Sequence, residues 1–217
     1  MKNDSLPEVN KWTSADHVET YLSRTKKPHE EETRRVLLEE IPVDIKRVLD
    51  LGTGDGRLLM LVKSINPTVE GVALDFSEPM LELAGKRFSG DDRVTVVKHD
   101  LNDPLPADKL GCFDLVISGL AIHHLNDERK RQLYTEIFDL LNSGGLFCNL
   151  EHVSSPTQAL HEKFLSFIGL TRITDDPSNK LLDVETQLRW LREIGFEDVD
   201  CIWKWREIAI MTGYKPK

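Results

Sequence analysis

The chain has 217 residues, 40% of them hydrophobic and 30% charged, with 13 Gly and 10 Pro. That balance excludes collagen-like, disordered and coiled-coil chains, and the length suits one domain of ~100–200 residues with a small addition. Its 28 Lys and Arg against 37 Asp and Glu give a formal net charge of −9, which repels phosphate backbones at long range, so a nucleic-acid partner is not expected. No apolar run approaches the ~20 residues of a membrane span, and Met1-Lys2-Asn3-Asp4 opens no signal peptide. A cytoplasmic protein without a membrane partner is expected. Cys112, Cys148 and Cys201 are odd in number and set in apolar segments, which suggests reduced core thiols.

An N-terminal helical pair is expected at residues 14–25 and 30–41, broken at Pro28, with Glu30-Glu31-Glu32 a favourable charge pattern for a helix start. Lys46–Leu51 reads as a short strand, followed by glycines and a helix over Asp55–Ile65. A strand at Val69–Leu74, a helix at Ser77–Phe88 and a strand at Arg93–Lys98 come next. Asp103-Pro104-Leu105-Pro106 is turn-rich, and Phe113–Ser118 is apolar throughout, as a strand buried on both faces should be. Asn126 caps a helix carrying Leu133, Ile137, Leu140 and Leu141, ended by Gly144-Gly145 before a fifth strand at Leu146–His152. Such alternation requires a parallel sheet with right-handed crossovers.

The C-terminal part differs. Residues 154–180 hold an amphipathic stretch with Leu160, Phe164, Phe167 and Ile168. Asp183–Ile194 reads as a helix closed by Gly195. Phe196–Trp205 and Arg206–Tyr214 follow with almost no connection, which permits only a hairpin, so the last strand should run antiparallel. A single domain over 1–217 is expected, made of a helical cap (1–45), a core (46–153), a lid-like insertion (154–180) and a final helix and hairpin (181–217).

The chemistry concentrates after the first strand. Gly52, Gly54 and Gly56 let backbone N–H groups approach a ligand as no residue with a Cβ could. The pyrophosphate fingerprint G-x-G-x-x-G fails, because the third glycine falls on Arg57 or Leu59. What stands instead is Asp50-x-Gly52-x-Gly54-x-Gly56, with Thr53 in the turn. Asp50 would repel a pyrophosphate and suits an ammonium group, or it orients the glycine loop. Asp75 stands at the tip of the second strand, about 20 residues beyond the turn, where such folds accept ribose hydroxyls. Asp100 tips the third strand, or forms the turn Asp100-Leu101-Asn102-Asp103-Pro104.

These segments resemble the class I S-adenosylmethionine-dependent methyltransferases. The resemblance covers roughly residues 47–214 and rests on VLDLGTGDG, ALDFSEPML, VVKHDLNDPLP, FDLVISGLAIHHL and LLNSGGLFCNLE, in that order. It implies an α/β, Rossmann-like sheet of seven strands, mostly parallel, the last one antiparallel between the fifth and sixth, with helices on both faces below the N-terminal helical cap. It implies S-adenosyl-L-methionine as cofactor, with Gly52 and Gly54 against its methionine part and Asp75 on the ribose. By the same resemblance Phe76 and Met80 pack on adenine, though Met80 also suits the core. Asp100 accepts from the exocyclic amine beside Leu101, and Gly119 lines the pocket with backbone.

His123 and His124 follow the fourth strand on a loop that should border the sulfonium. They are the candidate catalytic residues, as general base or substrate positioner, against a plain helix-entry turn. A metal site from His123, Glu151 and His161 lacks recognisable ligand spacing, and no metal is expected. Trp12, Tyr21, Trp203 and Trp205 could wall a pocket, and alternation puts the last two on one face. Ser118-Gly119-Leu120-Ala121 lacks the Asn/Asp-Pro-Pro-aromatic tetrapeptide of methylases acting on base or glutamine amino groups. The expected reaction is therefore in-line methyl transfer to a small-molecule acceptor. Alternatives are a tRNA-related or cofactor-modifying enzyme resembling the carboxymethyl-cofactor synthase, and a non-catalytic cofactor-binding module. Residues 14–25 and 154–173, with Tyr21, Phe164 and Phe167, are expected to cover the acceptor opening; otherwise they are structural helices or a homodimer contact.

Overall fold

A computed structural model describes residues 11–22 and 29–217. A 3-10 turn at Lys11–Thr13 precedes α1 (Ala15–Leu22) and α2 (Glu30–Glu40). Then come β1 (Arg47–Leu51), α3 (Arg57–Ile65), β2 (Glu70–Asp75), α4 (Glu78–Arg87) and β3 (Val94–Lys98). A short α5 (Ala107–Leu110) leads into β4 (Phe113–Gly119), the 3-10 turn Ile122–His124, α6 (Asp127–Leu140) and β5 (Leu141–His152). The chain ends with α7 (Gln158–Phe167), α8 (Val184–Ile194), β6 (Glu197–Trp205) and β7 (Ile208–Tyr214).

The sheet order is β3-β2-β1-β4-β5-β7-β6. β1 to β5 are parallel, and β7 runs antiparallel to both β5 and β6, as the short hairpin joint requires. Strand alternation divides the core into two layers. Leu49, Leu51, Leu74, Val116 and Phe147 meet Leu133 and Ile137 of α6 and Leu188 and Leu191 of α8. Val48, Ala73, Leu115, Ile117 and Leu146 meet Leu37 of α2 and Leu59 and Val62 of α3. Each fully buried Leu, Ile, Val or Phe contributes roughly 1.5–3 kcal/mol, so this two-sided burial holds the sheet flanked by helices. Helix starts are set locally, for the side chains of Asn126 and Asp183 accept from the amides of Arg129 and Thr186, both at 2.8 Å.

Several expectations are corrected. α6 ends at Leu140, and the chain enters β5 at once at Leu141. Gly144 (φ 78°) and Gly145 sit inside the strand, where the register with β4 shifts between Phe113 and Leu115. A Cβ on Gly145 would stand 2.8 Å from the Asn142 carbonyl oxygen, so the pair makes a strand irregularity and not a helix stop. α5 occupies part of the segment after the turn-rich prolines. Cys112 is exposed and Cys201 half-buried, while Cys148 alone is a core thiol, pushed by burial to a pKa of about 12. On α7 the buried residues are Phe164 and Leu165, whereas Leu160 and Phe167 are exposed. Pro28 and the side chain of Tyr21 lie outside the described residues. Among the described residues no helix is long and apolar enough to cross a membrane.

Candidate functional site

The turn after β1 can be built only from glycine. Gly52 and Gly54 have φ of 68° and 56°, the left-handed region that side chains avoid. A Cβ on Gly52 would lie 2.2 Å from the Cβ of Ala121, and both atoms are fixed by backbone. The Thr53 amide donates to the Leu74 carbonyl at 2.8 Å, which ties the turn to β2.

Two buried carboxylates flank this turn. Asp50 accepts from Thr53 Oγ1 at 2.7 Å through Oδ2, while its buried Oδ1 has no hydrogen-bond partner among the described residues. Burial pushes its pKa up to about 7, against the Thr53 hydrogen bond and with help from the charge of Asp75. Asp75 accepts from the Gly54 amide at 2.8 Å and the Ser77 amide at 2.9 Å. Burial raises its pKa too, and those two backbone hydrogen bonds oppose the rise. Asp75 therefore closes the glycine turn onto β2, a role the sequence reading missed. Asp100 Oδ1 accepts from both the amide and side chain of Asn102 at 2.9 Å, the turn-forming alternative.

One cavity of about 760 Å³ opens at the carboxyl ends of β1, β4 and β5. Asp50, Gly52, Thr53, Gly54, Met80 and Gly119 line it, and so do His123 and His124. Asp75, Phe76, Asp100 and Leu101 lie outside this wall. Phe76 is half-buried, and Leu101 belongs to the core, its Cδ1 3.9 Å from where a Gly52 Cβ would stand. From the N-terminal region Trp12 with Thr33, Arg34 and Leu37 of α2 contribute to its wall, and from the C-terminal part Phe164, Ile168 and Trp205 do. Trp205 thus faces the cavity, while Trp203 packs against the α2–α3 side of the sheet. Phe167 is not part of the wall.

The histidines form a wired cluster. His123 is buried, its Nδ1 2.7 Å from Glu151 Oε1, and that oxygen also accepts from the His152 amide at 2.8 Å. The rings of His123 and His124 have centroids 4.1 Å apart. His124 Nδ1 lies 2.9 Å from Ser178 Oγ, and burial followed by the neighbouring His123 lowers its pKa to about 4. It is neutral at pH 7. His152 Nε2 lies 3.1 Å from Glu207, a fully buried residue in the β6–β7 turn that also meets His161 Nδ1 at 3.0 Å. Burial drives Glu207 upward, yet hydrogen bonds with His152, Ser155 and His161 outweigh it and hold the carboxyl below its ordinary range. His161 is held by Glu207 and Asp175, not beside His123 and Glu151, so the three-residue metal set does not assemble. Nothing in the sequence marks Glu207, since a charged residue in a tight hairpin turn is ordinarily solvated.

The cradle fits a ligand carrying an ammonium group beside a slender chain. An unpartnered, buried carboxylate oxygen on Asp50 offers the counter-charge, and the Gly52-Thr53-Gly54 backbone on the same cavity wall gives the chain a surface to lie on. A methyltransferase-domain model matches residues 48–145. A demethylmenaquinone methyltransferase of Clavibacter sepedonicus is 30% identical over 174 residues, covering 73% of this chain and 69% of that protein. A carboxy-S-adenosyl-L-methionine synthase of Nautilia profundicola is 18% identical over 194 residues, 82% of this chain and 81% of that one. A solved O-methyltransferase family protein from Burkholderia thailandensis superposes with a TM-score of 0.71 at 18% identity, over 94% of this chain and 60% of its own, a likeness of fold alone. The chain spans 43% to 69% of the length of the demethylmenaquinone and uncharacterised methyltransferases it matches. A glycine cradle in this sheet order, together with a relative of that identity covered over more than two thirds of its length, means that the chain belongs to the class I S-adenosylmethionine-dependent methyltransferases.

Proposed function

We propose that the chain methylates a small-molecule acceptor whose reacting atom gives up its proton to His123. S-adenosylmethionine, when bound, supplies a methyl group already activated on a sulfonium. Asp50 would hold the ammonium group and the Gly52-Thr53-Gly54 backbone the methionine chain, with Gly119 opposite. Asp75 would take the ribose hydroxyls, because each carboxylate oxygen has a second acceptor site beyond its bond to Gly54 or Ser77. Phe76 and Met80 would flank the adenine, with Asp100 and Leu101 at its edge. Residues 1–217 act as one domain in this proposal, and 154–180 close its acceptor end.

The observation that carries the acceptor side is His123, on the same cavity as the glycine cradle and held from behind by the buried Glu151. With Nδ1 held by Glu151, the other ring nitrogen, Nε2, is the one that can accept a proton, and the carboxylate stabilises the imidazolium that forms. His124, kept neutral and bonded to Ser178, would position the acceptor. Leu37, Phe164, Ile168 and Trp205 give the cavity apolar walls, and its volume falls in the range of about 300–1,000 Å³ typical of small-molecule sites. A relative named for demethylmenaquinone is consistent with such an acceptor.

Glu151→Gln keeps the shape and removes the charge. In methyl transfer from labelled cofactor to hydroxyl-bearing acceptors, kcat should fall by roughly 10²-fold or more. Affinity for S-adenosylhomocysteine should stay within about twofold. Unchanged kcat would remove His123 as base. A second reading follows from the long match to the carboxy-S-adenosyl-L-methionine synthase. It requires the cofactor released from purified protein to carry an extra carboxylate, which mass spectrometry would read directly.

A further inference from the structure

α7 has two faces, and the site uses only one. Phe164 and, just past the helix end, Ile168 face the cavity. On the outside, Leu160 is 44% exposed, Phe167 54% and Ile173, in the following turn, 94%. Leu160, Lys163 and Phe167 fall at i, i+3 and i+7, one stripe along the helix surface. Large apolar side chains standing out this far from a single short segment are costly in water.

The surroundings of that stripe are cationic in a chain whose net charge is −9. Lys163 and Arg172 are exposed. The Arg206 guanidinium lies 3.8 Å from the centroid of the Phe167 ring. Glu162, the exposed acid of this segment, faces Arg172 at 3.7 Å. The acidic start of α2 meets the same Trp205 ring through His29, which is 2.8 Å from Glu32; the Trp205 ring stands 4.7 Å from His29 and 6.3 Å from Phe167.

We infer that the outer face of residues 160–173 docks reversibly on an anionic lipid surface, which brings the cavity wall formed by Phe164 and Ile168 against the bilayer interface. Exposed phenylalanine, leucine and isoleucine side chains on a short amphipathic segment suit a fluid acyl boundary, which needs no shaped counterpart. The flanking lysine and arginines then meet lipid phosphates. A second copy of the chain fits less well, because a two-fold contact would set this cationic face against itself. The inference does not depend on which acceptor is methylated.

The test is co-sedimentation of the full-length protein with vesicles of phosphatidylglycerol and phosphatidylcholine in equal parts, and with phosphatidylcholine alone. Binding should be at least tenfold stronger to the anionic vesicles and weaken as salt rises. Phe167→Ser with Ile173→Ser should lower binding at least tenfold. Lys163→Glu with Arg172→Glu should abolish the preference for anionic lipid. Both double variants should bind S-adenosylhomocysteine like the parent protein, which separates lost docking from lost folding. Absence of binding to anionic vesicles at millimolar lipid would overturn the inference, and so would equal binding by the apolar double variant. A parent dimer on gel filtration that the Phe167 and Ile173 substitutions dissociate would reassign the face to self-association.

Discussion

Asp50 has its carboxyl raised by burial from 3.8 to about 7, so the neutral form is the one this fold favours when the cradle is empty. A group raised in this direction contributes stability that is complete below its unfolded pKa, near 4, and lost as pH climbs through 7. Asp50→Asn should therefore stabilise the empty protein at pH 8, by up to roughly 4 kcal/mol for a rise of about three units, and make little difference at pH 4. An ammonium group beside Oδ1 reverses the preference and draws the proton off. Binding of S-adenosylhomocysteine at pH 7 should then release part of a proton. Titration calorimetry in two buffers of different ionisation enthalpy would show it as unequal heats, and affinity should rise between pH 6 and 8. Equal heats would take Asp50 away from the ammonium.

Helices and strands show why some of this was legible in the sequence. The cradle could be read because Asp50, Gly52 and Gly54 are neighbours in the chain, and the antiparallel β7 because two residues between strands allow nothing else. Gly144-Gly145 misled because glycine serves helix ends and strand irregularities alike, and only the pairing of β5 with β4 distinguishes them. On α7 the expected Phe164 turns inward, but Leu160 and Phe167 stay exposed and Leu165 takes the core position, because the sequence spaces its apolar residues too widely for one helix face to hold them all. Glu207 was invisible for a topological reason, since β7 brings it to His152 across 55 positions of sequence. The same elements predict a measurable motion. Residues of α2 and α7 both line the cavity, and hydrogen exchange at residues 33–37 and 160–168 should slow when S-adenosylhomocysteine and an acceptor are bound together. Exchange in β1 and β4, buried on both faces, should not change. Full protection of α7 in the empty protein would make it a fixed wall and not a closing one.

At the scale of the whole molecule, binding and folding are linked, because only the assembled sheet ends present the cradle. A ligand at a hundred times its Kd adds about 2.7 kcal/mol to stability. For a chain of this size each kcal/mol moves Tm by roughly 2–4 °C, so S-adenosylhomocysteine should raise Tm by about 5–10 °C. NAD provides the contrast. It has an adenosine of the same kind but carries a pyrophosphate, which meets the Asp50 carboxylate at the cradle and finds Arg57 where a dinucleotide site would place its third glycine. NAD at millimolar concentration should therefore leave Tm within about a degree of the empty protein. The comparison is read by differential scanning calorimetry at pH 8, where Asp50 is ionised. A shift with NAD equal to that with S-adenosylhomocysteine would mean that the cradle reads adenosine alone, and the charge argument built on Asp50 would fail with it.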